Sequence, residues 1–325
     1  MDRLKVAIIG LGKMGLLHSC ILNTIPTVEV IAFCDKSTML RRVAKKLFKH
    51  SIVVDDVEKL NDLSLDCAFV TAPIPAHFPI VKTLYSKNIV YNVFVEKTLA
   101  SSWNKANELC ALPKESGVNM VGYMKRFSST FTKARNLLSE NILGDLISFH
   151  GTAFSSDFAA CSKSSKGISR GGVLSDLGSH IIDLALWFFG DFKVEKALIK
   201  SIIGENSEDS VNFMVRKLGI SGEFDISWCK ENYRMPNFGL TVNGTNGVLT
   251  VNDYNVVLEP TGGKPVQWYR PELNDNVPFL LGEPEYYRED EHFIRSILTG
   301  RKAEPSFKTA SKVDQVIEQV KQEAQ

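Results

Sequence analysis

The sequence predicts an α/β protein in two parts. Residues 1–122 read as a doubly wound parallel sheet, and residues 123–325 as an α+β domain with a large open, mainly antiparallel sheet. Three observations lead there. Apolar runs alternate with helix-period segments up to Tyr123, the pattern of parallel strands joined by right-handed crossovers. A glycine-rich turn, Gly10-Leu11-Gly12-Lys13-Met14-Gly15, follows the first apolar run. Beyond it the strands become long and alternating, punctuated by Asn243-Gly244 and Asn246-Gly247, which are tight-turn signals. A chain of 325 residues suits about two domains. The C-terminal helix is a candidate to pack back on the first domain.

In chain order, Val6–Ile9 reads as a buried strand and Leu16–Leu22 as the helix packed on it. Gly10 permits the tight turn, Gly12 lets a pyrophosphate approach the backbone, and Gly15 lets helix and strand lie close. The helix start at Lys13 and Met14 offers free N–H groups to phosphates. The second strand, Val28–Cys34, ends in Asp35, about 20 residues past Gly15, where this fold sets an acid against the adenosine ribose. Strand, glycine turn, helix and acid together make a Rossmann dinucleotide-binding domain. Asp35 favours NAD; Lys36 and Arg41 keep NADP open.

The remaining strands of this half are Ile52–Val54, Asp66–Thr71, Ile89–Val95 and Val118–Tyr123. Helices are expected over Ser37–Lys49, Phe78–Lys87 and Ser101–Leu112. Thr71, Ala72 and Pro73 end one strand and are cofactor-binding candidates; His77, at the start of the next helix, reads as a packing or capping residue and is counted in the same cofactor-binding set. Glu96 and Lys97 end another strand, at the edge of an open α/β sheet where ligands bind.

In the second half, helices are expected over Thr130–Ser139, Tyr286–Leu298 and Phe307–Glu323. Strands are expected over Leu146–Phe154, Val194–Ile203, Ser210–Leu218, Ile220–Cys229, Phe238–Val242, Val248–Val251 and Val256–Glu259. The stretch Gly171–Gly190 turns helical from Asp176, which places Asp176 and His180 on one face. A carboxylate beside an imidazole orients it and raises its proton affinity, as a general base for a hydroxyl needs. Asp183 in the same helix reads as a buried hydrogen-bonding residue. Lys125, with Lys163 and Lys166, is a candidate to receive an anionic substrate group, and Tyr286 is a substrate candidate.

A net charge of +1 gives no electrostatic footprint for nucleic acid or a membrane surface. Six scattered cysteines without a C-x-x-C pair fit a reducing cytoplasm and give no structural zinc or other metal site. The first strand begins too early to leave room for a signal peptide.

The chain resembles the glucose-fructose oxidoreductase, inositol dehydrogenase and MocA family. The resemblance rests on the glycine turn, on Thr71–His77, Val95–Ala100 and Gly122–Phe127, and above all on Gly171–Gly190. It implies a nicotinamide-dependent oxidoreductase that transfers a hydride to or from a secondary alcohol of a sugar, cyclitol or nucleotide sugar. It also implies a homodimer or homotetramer built through the sheet of the second domain. By motif, Lys97, Asp176 and His180 match the family's catalytic set, which weighs against a non-catalytic cofactor sensor of the same fold. Two departures stand out. Thr98 follows the lysine where the family usually has proline, so a trans peptide is expected there, and Ile74 stands where the family commonly has asparagine.

Overall fold

The computed structural model describes residues 3–113, 116–156, 171–202 and 207–324. It divides into two compact units: Met1–Met124 with Val277–Asp314, and Lys125–Asn276 with Gln315–Gln325. Residues 277–314 therefore cluster with the first unit.

Unit 1 is a Rossmann fold. Its strands are β1 (Leu4–Ile9), β2 (Val28–Cys34), β3 (Ile52–Val54), β4 (Cys67–Val70), β5 (Asn92–Glu96) and β6 (Asn119–Gly122). They form one sheet in the order β3-β2-β1-β4-β5-β6, parallel throughout. The chain leaves β1 toward β2 and later returns to its other side at β4. That reversal opens a crevice at the carboxyl ends of β1 and β4. Strand β1 can sit centrally because Val6–Ile9 are apolar on both faces and fully buried. Helices α1 (Lys13–Leu22), α2 (Thr38–Leu47), α3 (Ile74–Ser86), α4 (Trp103–Cys110) and, from the later segment, α7 (Pro284–Thr299) complete the unit. Phe69 and Phe94 stack at 4.6 Å, with Phe293 of α7 edge-on to Phe69 at 5.4 Å. Each such ring contributes about 1.5–3 kcal/mol by leaving water.

Two of the boundaries that differ from the sequence expectation have a clear cause. Helix α3 starts at Ile74 rather than Phe78, because Pro73 and Pro75 fit an N-cap and first turn that need no N–H donors. His77 therefore lies one turn inside the helix. Strand β5 starts at Asn92 rather than Ile89. Asn88 takes a left-handed φ of 54° and the Ile89 N–H donates to the Leu84 carbonyl, so these residues close α3 instead.

Unit 2 is built on an eight-stranded sheet in the order β14-β13-β12-β11-β7-β10-β9-β8. The strands are β7 (Leu146–Phe154), β8 (Lys193–Lys200), β9 (Ser210–Lys217), β10 (Ile220–Ser227), β11 (Asn237–Gly244), β12 (Gly247–Asn252), β13 (Asn255–Pro260) and β14 (Val266–Tyr269). Only β7 and β10 pair in parallel. Strand β14 is only four residues long and was not expected; it pairs on one side only, as a short, exposed edge. Helices α5 (Ser129–Ser139) and α6 (Ser179–Phe189) pack on one face. That face carries Phe149, Phe224, Phe238, Leu240 and Val242, all buried. The other face carries Thr152, Thr241 and Thr250, each half-buried.

Helix α6 is anchored by a buried ion pair. Arg126 clasps Asp183 through Nε at 2.7 Å and Nη2 at 2.6 Å. With both groups under one-tenth exposed, removing one partner would leave a buried charge, a loss of about 3–5 kcal/mol. The expected helix from Asp176 is refined: Leu174–Gly178 is a π-turn, and the α-helix proper begins at Ser179. π-Turns of this kind are rare and are frequently found at functional sites. Lys163, Lys166, Cys161 and Ile203 lie outside the described residues.

Candidate active site

In unit 1 the glycine turn is tight enough that two of its glycines admit no side chain. A Cβ on Gly10, whose φ is +101°, would sit 2.4 Å from the Ala72 nitrogen. A Cβ on Gly15 would sit 1.9 Å from the Gly10 carbonyl oxygen. Thr71 Oγ1 donates to that same carbonyl at 2.7 Å, tying β4 to the turn. Gly12 differs: nothing lies within 4 Å of the position its Cβ would take. It caps α1 with no side-chain bond to the helix start, where Lys13 is exposed and Met14 half-buried. An open backbone at a helix N-terminus suits a phosphate.

Beside this turn lies a cavity of about 420 Å³ lined by Gly10, Asp35, Lys36, Asp56, Ala72 and Pro73, among others. Asp35 is fixed by two backbone donors, Leu11 N–H and Ser37 N–H, each at 2.7 Å. The nearby cations are engaged elsewhere. Arg41 Nη1 donates to the carbonyls of Asp35 and Lys36, both at 2.8 Å, and Lys36 pairs with Asp56 at 2.8 Å. Asp55 and Glu58 add two more acids to the rim. Glycine turn, open helix start and acid-lined cavity fit a dinucleotide.

Lys97, half-buried, follows β5 directly, two strands from β1 in the sheet and so roughly 10 Å from the glycine turn's strand. Its backbone is gripped on both sides. Glu96 Oε2 accepts from the Lys97 N–H at 3.0 Å. The Thr98 carbonyl lies 2.8 Å from His77 Nδ1, and His77 Nε2 lies 2.7 Å from the Ala72 carbonyl. His77 thus bridges the ends of β4 and β5. Burial holds it below the usual histidine range, against the pull of the carbonyls. The Lys97–Thr98 peptide is cis, which corrects the trans expectation. Thr98 is buried, and its hydroxyl donates to the Ala100 carbonyl at 3.1 Å, so the surroundings define this loop without a proline.

Glu96 leads to a cluster with no sequence motif. Its Oε1 meets His18 Nε2 at 3.0 Å, and His18 Nδ1 meets Asp290 Oδ1 at 2.7 Å. His18 and Asp290 are fully buried. Burial alone would lower the His18 pKa; the Asp290 and Glu96 carboxylates override it and hold the ring well above the usual histidine range. Glu289 brings a further carboxylate, so that His18, Glu289 and Asp290 offer ligand-type atoms within 4.8 Å. Both His18 nitrogens meet carboxylates, an arrangement that favours the doubly protonated ring. Tyr286 stands edge-on to His18 at 6.3 Å, and burial pushes its phenol upward. It packs against this cluster in unit 1.

In unit 2, His180 is 6% exposed and lies edge-on to the Phe238 ring at 5.3 Å. Asp176, half-buried, precedes it in the π-turn. Lys125 lies 5.3 Å above the same Phe238 ring and is paired with Asp253 at 2.6 Å. Asp253 Oδ2 also accepts from the Phe238 N–H at 2.9 Å. Lys125 therefore carries a charge compensated by Asp253. It can still donate a hydrogen bond near Phe238. Asp253 was missed in the sequence because it stands in an ordinary turn after β12.

Within unit 1 the structure brings together the glycine turn, Asp35, Thr71, Ala72, Pro73, His77, Glu96 and Lys97 along one edge of the sheet. Within unit 2, His180 and Lys125 converge on Phe238. Among the described residues, no helix is long and apolar enough to cross a membrane.

The comparisons agree with this geometry. Residues 4–123 match the model of the oxidoreductase family, NAD-binding Rossmann fold, and residues 131–250 match the GFO/IDH/MocA C-terminal domain. Scyllo-inositol 2-dehydrogenase (NADP(+)) IolW of Bacillus subtilis is 26% identical over 215 residues, covering 64% of this chain and 58% of that protein. Trans-1,2-dihydrobenzene-1,2-diol dehydrogenase of Xenopus laevis is 22% identical over 313 residues, 92% of each chain. With several curated relatives, the inositol dehydrogenase among them, the chain spans little more than half the relative's length. A solved levoglucosan dehydrogenase in complex with NADH and L-sorbose superimposes with a TM-score of 0.89 at 20% identity, covering 100% of this chain and 97% of that one. That likeness shows the fold.

Proposed function

The chain belongs to the GFO/IDH/MocA oxidoreductase family, with its NAD-binding Rossmann fold, and we propose that it is a dehydrogenase acting on a secondary alcohol or ketone of a sugar or cyclitol. The observation that carries this reading is the edge of the unit 1 sheet. There the acid-lined cavity and the doubly gripped Lys97 lie at the ends of neighbouring strands. Relatives named for inositol and levoglucosan support a cyclic polyol as substrate class. A nucleotide sugar belongs to the same class of secondary alcohol.

Gly10, Gly12, Gly15 and the start of α1 would hold the pyrophosphate, and Asp35 the adenosine ribose. Bound NAD supplies the hydride acceptor. Lys97 donates a hydrogen bond to the substrate oxygen and lowers the cost of its developing negative charge. His180 takes the hydroxyl proton, with Asp176 before it in the π-turn to favour the charged ring. A non-catalytic cofactor sensor would have no use for Lys97, Asp176 and His180 together.

The cavity rim also supports NAD over NADP. Asp35, Asp55, Asp56 and Glu58 oppose a 2′-phosphate, while Lys36 and Arg41 are already engaged. In fluorescence titrations NADH is expected to bind roughly 10- to 100-fold more tightly than NADPH. Asp35→Ser is expected to narrow that gap. Tighter binding of NADPH by the wild type would overturn the preference.

The outer face of the eight-stranded sheet supports association of two copies. Thr152, Thr241 and Thr250 stand half-buried on a face that a twin surface could cover in an isologous contact. Sedimentation is expected to give a dimer or a multiple of it, and Thr241→Lys to lower the mass. A wild-type monomer at micromolar concentration would contradict this.

A further inference from the structure

We propose that Asp290 and His18 are positioning residues for Lys97: Asp290 holds the His18 ring, His18 holds Glu96, and Glu96 fixes the Lys97 N–H at the strand end. The inference rests on the reading of Lys97 as the donor to the substrate oxygen.

Each link is direct. Glu96 divides its two oxygens, Oε1 to His18 and Oε2 to the Lys97 backbone. His18 divides its two nitrogens, Nε2 to Glu96 and Nδ1 to Asp290. The ring must carry a proton on both nitrogens to donate to both carboxylates. Elements far apart in sequence, α1, β5 and α7, thereby meet at one strand tip. The groups facing His18 are Glu96 from β5, Asp290, Glu289 and Tyr286 from α7, and the rings of Phe69 and Phe94 from the sheet. His18 is the one cation among these named groups.

A buried carboxylate–imidazolium–carboxylate row is an expensive way to fill space, since apolar side chains of similar volume often serve stability as well. Its placement against Lys97 gives it a second use. Glu96 is on the strand and Thr98 is held by His77, so the lysine is fixed from both sides. With Asp290→Asn the ring keeps an acceptor at Nδ1 but loses the charge that favours its second proton. Where the neutral ring is protonated on Nδ1 toward the amide oxygen, Nε2 presents a lone pair to Glu96 and the hold on Lys97 fails.

The test combines magnetic resonance on the cofactor-free protein with kinetics. In the wild type the His18 ring is expected to stay doubly protonated throughout the pH window of ordinary histidine titration and beyond it. On raising the pH further, the Lys97 amide resonance should move with the midpoint of the His18 ring. In Asp290→Asn the ring should titrate inside that window. The kcat of this variant should fall about 10- to 100-fold at the upper end and recover toward the lower end, with NADH affinity little changed. A Lys97 amide indifferent to His18 titration overturns the relay, and that measurement needs no variant to fold. So does an Asp290→Asn enzyme whose kcat ignores the ring's protonation. Lys97→Ala separates the two ideas. If it turns over normally, the reading of Lys97 falls; if it is slow while Asp290→Asn behaves as wild type at every pH, only the relay falls.

Discussion

Replacing His180 by alanine is expected to lower kcat by about 10²- to 10⁴-fold, the range a positioned general base contributes. The NADH dissociation constant should stay near that of the wild type. The two readouts rest on different residues. His180 sits in α6 of unit 2 against Phe238, whereas the glycine turn, Asp35 and the cavity belong wholly to unit 1. Saturation kinetics and an NADH fluorescence titration on the same preparation check both halves. A thermal melt of the variant guards against unfolding, since His180 is buried and its removal leaves a cavity beside Phe238. Unchanged turnover would remove His180 from the proposed role.

Gly15→Ala is expected to damage both stability and cofactor binding. The added Cβ would stand 1.9 Å from the Gly10 carbonyl oxygen and 2.9 Å from Thr71 Oγ1. Neither can retreat easily: Gly10 is locked by its φ of +101° against Ala72, and Thr71 Oγ1 is bonded to that carbonyl. Helix α1 must move away from the turn. Overpacking of this kind costs about 1–3 kcal/mol. For a unit this size each kcal/mol lowers Tm by about 2–4 °C. NADH binding should weaken with the loss of the helix start as a phosphate site. Gly12→Ala is the control. Its Cβ meets nothing within 4 Å, so Tm should hold while NADH binding weakens, because the side chain fills the approach to the backbone. Equal Tm for Gly15→Ala and wild type would show that the turn is looser than its contacts indicate.

The parts of the molecule written in local pattern were legible in its sequence. Val6–Ile9 announces a central strand because four apolar residues in a row suit burial on both faces. Gly10, Gly12 and Gly15 announce a turn because only glycine fits two of those places. The open sheet of unit 2 showed through alternation and Asn-Gly turns, apart from β14, whose four residues, Val-Gln-Trp-Tyr, are too few to establish a period. What escaped notice depends on distance in the chain. His18 looked like one more residue in an apolar helix, and Asp290 like one charge among several in Tyr286–Glu291. Their meeting across 272 positions has no local signature. Asp253 escaped for the same reason, since its partner Lys125 is 128 residues away. The π-turn before α6 also left no trace, because a single extra residue in a turn barely alters a hydrophobic period.

The most direct measurement is NADH formation from a panel of sugars and cyclitols by the wild type, Lys97→Ala, His180→Ala and the double variant. At least one polyol should reduce NAD in the wild type, and the double variant should lose about as much as the worse single one, since groups serving one transition state act as a unit. No turnover of any polyol by protein that still binds NADH, or losses that simply multiply, would contradict a shared role for Lys97 and His180 in one hydride transfer.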